Sequence, residues 1–164
     1  MKDYTLDTIY IGGGTPTTLN AAQMERLLSK VTELFPMDQV QEFTVEAGRP
    51  DTIHEDVLKA IRKFPVTRIS INPQTMNQET LDLIGRHHTV EEIEEKFRMA
   101  RDLGFDNINM DLIVGLPGED REKVAHTLEK VEALNPDSLT VHSLALKRAT
   151  RLNFVQRQIS GNLV

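Results

Sequence analysis

A glycine run followed by threonine and proline, Gly12-Gly13-Gly14-Thr15-Pro16-Thr17, is the first segment of the chain with chemical potential. Successive glycines let backbone amides approach a ligand closely and adopt positive φ. Amides exposed in this way can hold a carboxylate or a phosphate. The run lacks the Gly-Lys-Ser/Thr of a P-loop and the Gly-x-Gly-x-x-Gly of a dinucleotide fold. A structural turn and a ligand loop are both compatible with it. Three polar side chains follow downstream: Glu46 in Thr44-Val45-Glu46-Ala47-Gly48-Arg49-Pro50, Gln74 in Ile71-Asn72-Pro73-Gln74, and Asp111 in Asn109-Met110-Asp111-Leu112. Each falls at or near the C-terminal end of a strand-like run, where α/β folds place their sites. Any one of them alone reads equally as a hydrogen-bonded structural residue. Arg86 follows Gly85, and a guanidinium there can grip a carboxylate in two places. A helix dipole also favours a cation at that position without any ligand. His87 and His88 come next, but adjacent residues point apart and no carboxylate spacing completes a metal site. His142 sits on the polar face of a late strand, while His54 and His126 fall on helical stretches and are expected to face solvent.

The elements that must position these groups alternate regularly. Strand patterns cover Thr8–Ile11, Glu42–Glu46, Thr67–Ile71, Ile108–Val114 and Ser138–Leu144. Between them lie helical patterns. Asn20 precedes one whose apolar stripe is Met24, Leu27, Leu28, Val31 and Phe35. Thr52…Glu55 and Thr89…Glu92 have capping-box spacing, and Gly85 and Gly104 stand where helices should stop. Val124, Leu128 and Val131 share a face on the helix before Asn135-Pro136. Regular β-then-α order predicts a parallel sheet with right-handed crossovers, either doubly wound or part of a βα barrel. A parallel strand covered on both faces should be apolar throughout. Here Phe43 and Val45 alternate with Glu42, Thr44 and Glu46. Ile69 and Ile71 alternate with Arg68, Ser70, Asn72 and Gln74, and Ile108, Met110, Leu112 and Val114 alternate with Asn107, Asn109, Asp111 and Ile113. One face is therefore expected to meet helices and the other to line a wet cavity.

Composition narrows the function classes. Lys and Arg number 19 against 25 Asp and Glu, a net charge of −6, so the chain has no basic surplus for nucleic acid. Hydrophobic residues at 39% with 27% charged fit a globular fold rather than disorder. No apolar run approaches the ~18 residues of a membrane span, and Met1-Lys2-Asp3-Tyr4 lacks a signal-peptide core, so a cytoplasmic location with no membrane partner is expected. There are 0 cysteines, which leaves no disulfide, thiolate nucleophile or Cys-held iron within these residues.

Taken in order, DTIYIGGGTPT, TVEAGRP, RISINPQTMN, LIGRHH, NMDLIVGLPGE and NPDSLTVHSLALKRAT resemble the radical S-adenosylmethionine (SAM) family. The branch is that of the oxygen-independent coproporphyrinogen III oxidases, and EAGRP points to its HemZ-type coproporphyrinogen dehydrogenases. The resemblance implies an α/β fold over residues 1–152: a partial (β/α) barrel with about five parallel strands present and the first strand missing. It also implies SAM as cofactor, reduced by a [4Fe-4S] cluster to a radical that begins oxidative decarboxylation of coproporphyrinogen III propionates, with an external electron donor. Backbone groups of Gly13, Gly14 and Thr15 would hold the methionyl part of SAM. Glu46, Gln74, Arg86 and Asp111 would take its polar groups, with Arg86 on the carboxylate and Asp111 on the ribose. Ile113 and Ala145 would pack on adenine.

One departure is large. The family's cluster cysteines form a C-x3-C-x2-C loop after the first barrel strand, ahead of the glycine segment, and these residues contain none. The chain is expected to be a fragment without turnover of its own, with residues 153–164 a tail lacking a family counterpart. It is expected to be poorly stable alone, and its sheet edge open to self-association. Three other readings stand beside this one: a heme-chaperone relative, a non-catalytic remnant, and an unrelated βα-barrel lyase or phosphate-binding domain that uses the glycine loop.

Overall fold

The computed structural model describes residues 5–144; Ala145 and the segment 153–164 lie outside the described residues. Five strands, β1 (Thr8–Ile11), β2 (Glu42–Gly48), β3 (Arg68–Gln74), β4 (Ile108–Val114) and β5 (Ser138–Ser143), form one parallel sheet in the order of the chain. Right-handed crossovers in an unreversed order place every connecting helix on the same side of the sheet. Among the described residues there is no topological switch point of the kind a doubly wound fold requires. The sheet is therefore the wall of a half-barrel, and β2 and β3 run further at their C-terminal ends than alternation alone indicates.

The helix side is the core. Phe43, Val45, Ile69, Ile71, Ile108 and Met110 are fully buried from the sheet, and Met24, Leu28, Leu58, Ile61, Ile93 and Phe97 meet them from the helices. Burying each such side chain contributes about 1.5–3 kcal/mol, and this layer is the main support of the fold.

Local signals set the helix boundaries. Helix α1 (Ala21–Leu34) opens with a capping box in which Asn20 and Gln23 exchange bonds of 3.0 Å. Helix α4 (Val90–Asp102) does the same with Thr89 and Glu92, at 3.1 and 2.7 Å. Helix α2 (Glu55–Arg62) corrects the Thr52 expectation: its N-cap is His54, with no side-chain bond. Pro50 instead opens a 3-10 turn over Pro50–Thr52. The Thr52 hydroxyl donates to Arg49 O at 2.8 Å and lies 2.6 Å from Thr17 Oγ1, so tertiary packing takes the hydroxyl before the helix can. Helix α3 (Gln78–Leu83) ends ahead of Gly85, whose φ of 74° only glycine adopts cheaply. Helix α5 (Arg121–Leu134) is capped by Asp120 and stops at Asn135, in the left-handed region. Its Val131 is buried, but Leu128 is exposed, as are Leu139 and Val141 on the helix side of β5. No helix of the described residues is long and apolar enough to cross a membrane.

Candidate functional site

Register gathers the polar face. In parallel pairing, partnered residues point to one side of the sheet. Tyr10 is partnered with Thr44, and Glu46 with Ser70. Ser70 is partnered with Asn109, Asn109 with Ser138, Asp111 with Thr140, and Ile113 with His142. The alternating polar residues of the strands thus line the side opposite the helices, and Ile113 shares it with Asp111.

They are joined by hydrogen bonds. Asn109 Nδ2 donates to Ser70 Oγ at 2.9 Å and to Asp111 Oδ1 at 2.6 Å. Ser70 Oγ donates to Asn72 Oδ1 at 2.9 Å, and Asn72 Nδ2 to Glu46 Oε1 at 2.8 Å. Ser138 and Thr140 each donate to Asn109 Oδ1 at 3.0 Å. Ser70, Asn72 and Asn109 are buried, and the network satisfies polar groups that would otherwise cost about 1–3 kcal/mol each. It also fixes the two carboxylates. At the lower end of the face Arg68 is engaged by Glu42 at 3.6 Å and by Ser138 at 3.4 Å. Its charge is spent there, and the upper face, with Glu46 and Asp111, is net negative.

Glu46 connects the wall to the glycine loop. Its Oε2 accepts from Tyr10 Oη and from the Gly13 amide, each at 3.2 Å. The Tyr10 phenol is pushed up to about 12, first by burial and then by the charge and hydrogen bond of Glu46, with Asp111 adding to it; it stays a proton donor. A Cβ at Gly12 would collide with the Tyr10 ring and the Glu46 carboxylate, so a side chain there would have to displace both. Gly13 and Gly14 have open space but φ of 78° and 56°, so glycine is needed there for conformation. Thr17 anchors the loop by donating to Ala47 O at the end of β2.

Two sequence-identified residues lie off the alternating face. Gln74 is buried with φ 73°, after a register irregularity between Ile71 and Gln74 that pairs it with Leu112. A non-glycine residue in that region stores about 1–3 kcal/mol of strain. Arg86 is half-buried in the loop between α3 and α4. Burial first, and the nearby Arg49 second, push its guanidinium below its ordinary range, with Asp51 opposing. His142 Nε2 is 4.0 Å from Asp111 Oδ2 and is exposed, whereas His88 is fully buried. Sequence reading omits Tyr10, Ser70, Asn72 and Asn109 as site residues; their place in the alternation was the available signal.

A second polar cluster holds the rim loops together. Thr127 of α5 accepts from the Met76 amide at 3.1 Å and from Asn77 Nδ2 at 3.0 Å. Asn77 Nδ2 also donates to Lys123 O at 3.0 Å and to Glu119 Oε1 at 3.1 Å, and Thr75 donates to the same Glu119 oxygen. This lock ties the segment after Gln74 to the loop after β4.

The radical SAM superfamily matches residues 1–131. The chain is 52% identical over 151 residues to the oxygen-independent coproporphyrinogen-III oxidase-like protein HemZ of Bacillus subtilis (strain 168), covering 92% of this chain and 30% of that protein. It is 40% identical over 158 residues to the heme chaperone HemW of Lactococcus lactis, covering 96% of this chain and 41% of the chaperone. Among solved structures, the Escherichia coli coproporphyrinogen III oxidase HemN, a radical SAM enzyme, superimposes with a TM-score of 0.80 at 37% identity, over 93% of this chain and 34% of HemN. The chain thus spans between 30% and 41% of the length of these three relatives.

Proposed function

The chain belongs to the radical SAM superfamily, and from that premise we propose that its concave face and glycine loop form the SAM-binding half of a coproporphyrinogen dehydrogenase site. The observation that carries the reading is the bonded row Gly13–Glu46–Asn72–Ser70–Asn109–Asp111 on one wall, with Arg86 in the loop after α3. Its donor set suits the ligand. Two carboxylates suit ribose hydroxyls, an amine and a sulfonium cation. No described carboxylate lies within 4 Å of Arg86, which leaves it free for the ligand's own carboxylate. Backbone groups of Gly13, Gly14 and Thr15 hold the methionyl end, Gln74 adds an amide, and Ile113 offers an apolar side chain to adenine. Ala145 would be its partner there.

SAM bound beside an iron–sulfur cluster supplies a 5′-deoxyadenosyl radical in this superfamily. These 164 residues contain 0 cysteines, so they do not fit the cluster. The chain's own part is to bind and orient the nucleoside, and by itself it turns nothing over. In the whole protein the substrate would be coproporphyrinogen III, with propionates oxidised to vinyls by way of an external electron donor. The 40% identity to HemW favours a second reading, a heme-handling relative. Saturable heme binding that leaves coproporphyrinogen untouched would select it.

Isothermal titration of the chain with SAM tests the first reading. Arg86→Ala and Asp111→Ala should each cost about 1–3 kcal/mol of binding through a lost charge-assisted bond, roughly fivefold to a hundredfold in Kd. No saturable heat with the unaltered chain, or an unchanged Kd in both variants, refutes it.

A further inference from the structure

The rim carries a second guanidinium that the SAM reading above does not use. Arg49 directly follows β2, where Gly48 turns the chain with φ 68°. Arg86 directly follows Gly85, the glycine that stops α3 with φ 74°. Two residues beyond each arginine the two loops touch: His88 Nδ1 lies 3.6 Å from Asp51 Oδ1. The Arg49-Pro50-Asp51 turn therefore lies against the Arg86-His87-His88 loop, close enough for the charge of Arg49 to act on Arg86.

This arrangement lacks a partner. Asp51 is the nearest compensating acid, yet it lies within 4 Å of His88 and not of either guanidinium. Among the described residues neither Arg49 nor Arg86 has a carboxylate within that distance. His88 beneath them is 0% exposed, and neither of its ring nitrogens has a hydrogen-bond partner. It supports the loops without neutralising them. The proximity has an electrostatic consequence, since Arg49 helps to hold the Arg86 guanidinium below its usual range, after burial. Two like charges, one of them half-buried, are unfavourable until an anion comes between them.

We propose that Arg49 and Arg86 together form a two-armed clamp for the aminoacyl carboxylate of SAM, with Arg49 a binding residue in its own right. This rests on the reading of the face as a SAM site. A planar carboxylate has two oxygens, and a guanidinium on each side gives each oxygen its own charge-assisted donors. The anion also removes the repulsion between the arms, so each arm binds better for the presence of the other.

The test compares two ligands on the full chain. SAM carries the carboxylate; decarboxylated SAM keeps the adenosine, the sulfonium and the amine but lacks it. Arg49→Met should raise the Kd for SAM about tenfold and leave the Kd for decarboxylated SAM within about twofold, and Arg49→Lys should recover part of the loss. In the free chain Arg49→Met should not lower the melting temperature, because it removes a repulsion rather than a contact. An unchanged SAM Kd in Arg49→Met overturns the clamp. So does equal weakening of both ligands, which would mean that Arg49 acts through the shape of the loop. If the unaltered chain binds neither ligand, the SAM reading itself falls, and the clamp with it.

Discussion

Thr127→Val tests whether the lock between the β3 exit and α5 is held by one hydroxyl. Valine keeps the shape of threonine and replaces the hydroxyl with a methyl group. Thr127 and Met76 are both buried, at 5% and 1% exposure, so water cannot replace the lost acceptor. Asn77 Nδ2 would keep Lys123 O at 3.0 Å and Glu119 Oε1 at 3.1 Å, and Thr75 would keep Glu119. The Met76 amide has Thr127 Oγ1 at 3.1 Å and would be left unpaired. One orphaned buried amide costs about 1–3 kcal/mol, and the added methyl returns about 0.8 kcal/mol. The net loss is about 0.2–2.2 kcal/mol, a fall of up to roughly 9 °C in Tm for a chain of this size. A thermal melt gives the magnitude. Amide hydrogen exchange at Met76 gives the cause, because protection there should collapse in Thr127→Val and persist in Thr127→Ser. Full protection of Met76 in the valine variant, or equal loss in the serine variant, would refute the reasoning.

Gln74→Gly should raise Tm by a few degrees, since glycine at φ 73° relieves about 1 kcal/mol of strain; it should also weaken SAM binding, and a lower Tm would deny that strain is stored there. The pH dependence should carry the mark of His88. Burial first, with Arg86 adding to it, pushes its pKa down against Asp51 and Glu92. The unfolded chain, near 6.5, then takes up the proton before the folded chain does. Stability should therefore be full above about pH 6.5 and fall as the pH drops from there toward the depressed folded value. Chemical denaturation at pH 7 and pH 5.5 should show that fall, and His88→Leu should flatten it; an unaltered slope in the variant would assign the effect to other groups.

Where the fold was legible, period-two alternation carried it. Phe43 and Val45 against Thr44 and Glu46, and Ile108 and Met110 against Asn109 and Asp111, assign faces without any tertiary knowledge, because a strand has only two sides. Asn20 and Thr89 were readable as caps because both partners of each box lie within three residues. Thr52 has the same spacing and fails, since its hydroxyl donates to Arg49 O in a 3-10 turn that packs on Thr17, 35 residues away. Gln74 escapes alternation for a related reason: a register irregularity at the end of β3 is settled by pairing with β4, not by local sequence. The lock at Thr127 spans 50 and 51 residues to Asn77 and Met76, beyond any local pattern.

These illegible features concentrate at one end of the sheet, and that placement has a physical basis. Regular pairing in the body of the inner strands satisfies their backbone groups and commits each side chain to one face. The rim shows the opposite, a left-handed Gln74 and guanidinia without carboxylate partners among the described residues, as the proposed ligand face would need. Each such feature costs stability, and only contacts from distant segments can hold it in place. The half-barrel body therefore follows from local rules. The rim, where Glu46, Gln74, Arg49 and Arg86 stand, is tied by Thr17, Thr52 and Thr127 into a geometry that the local sequence would not choose, and it is this geometry that the proposed SAM site requires.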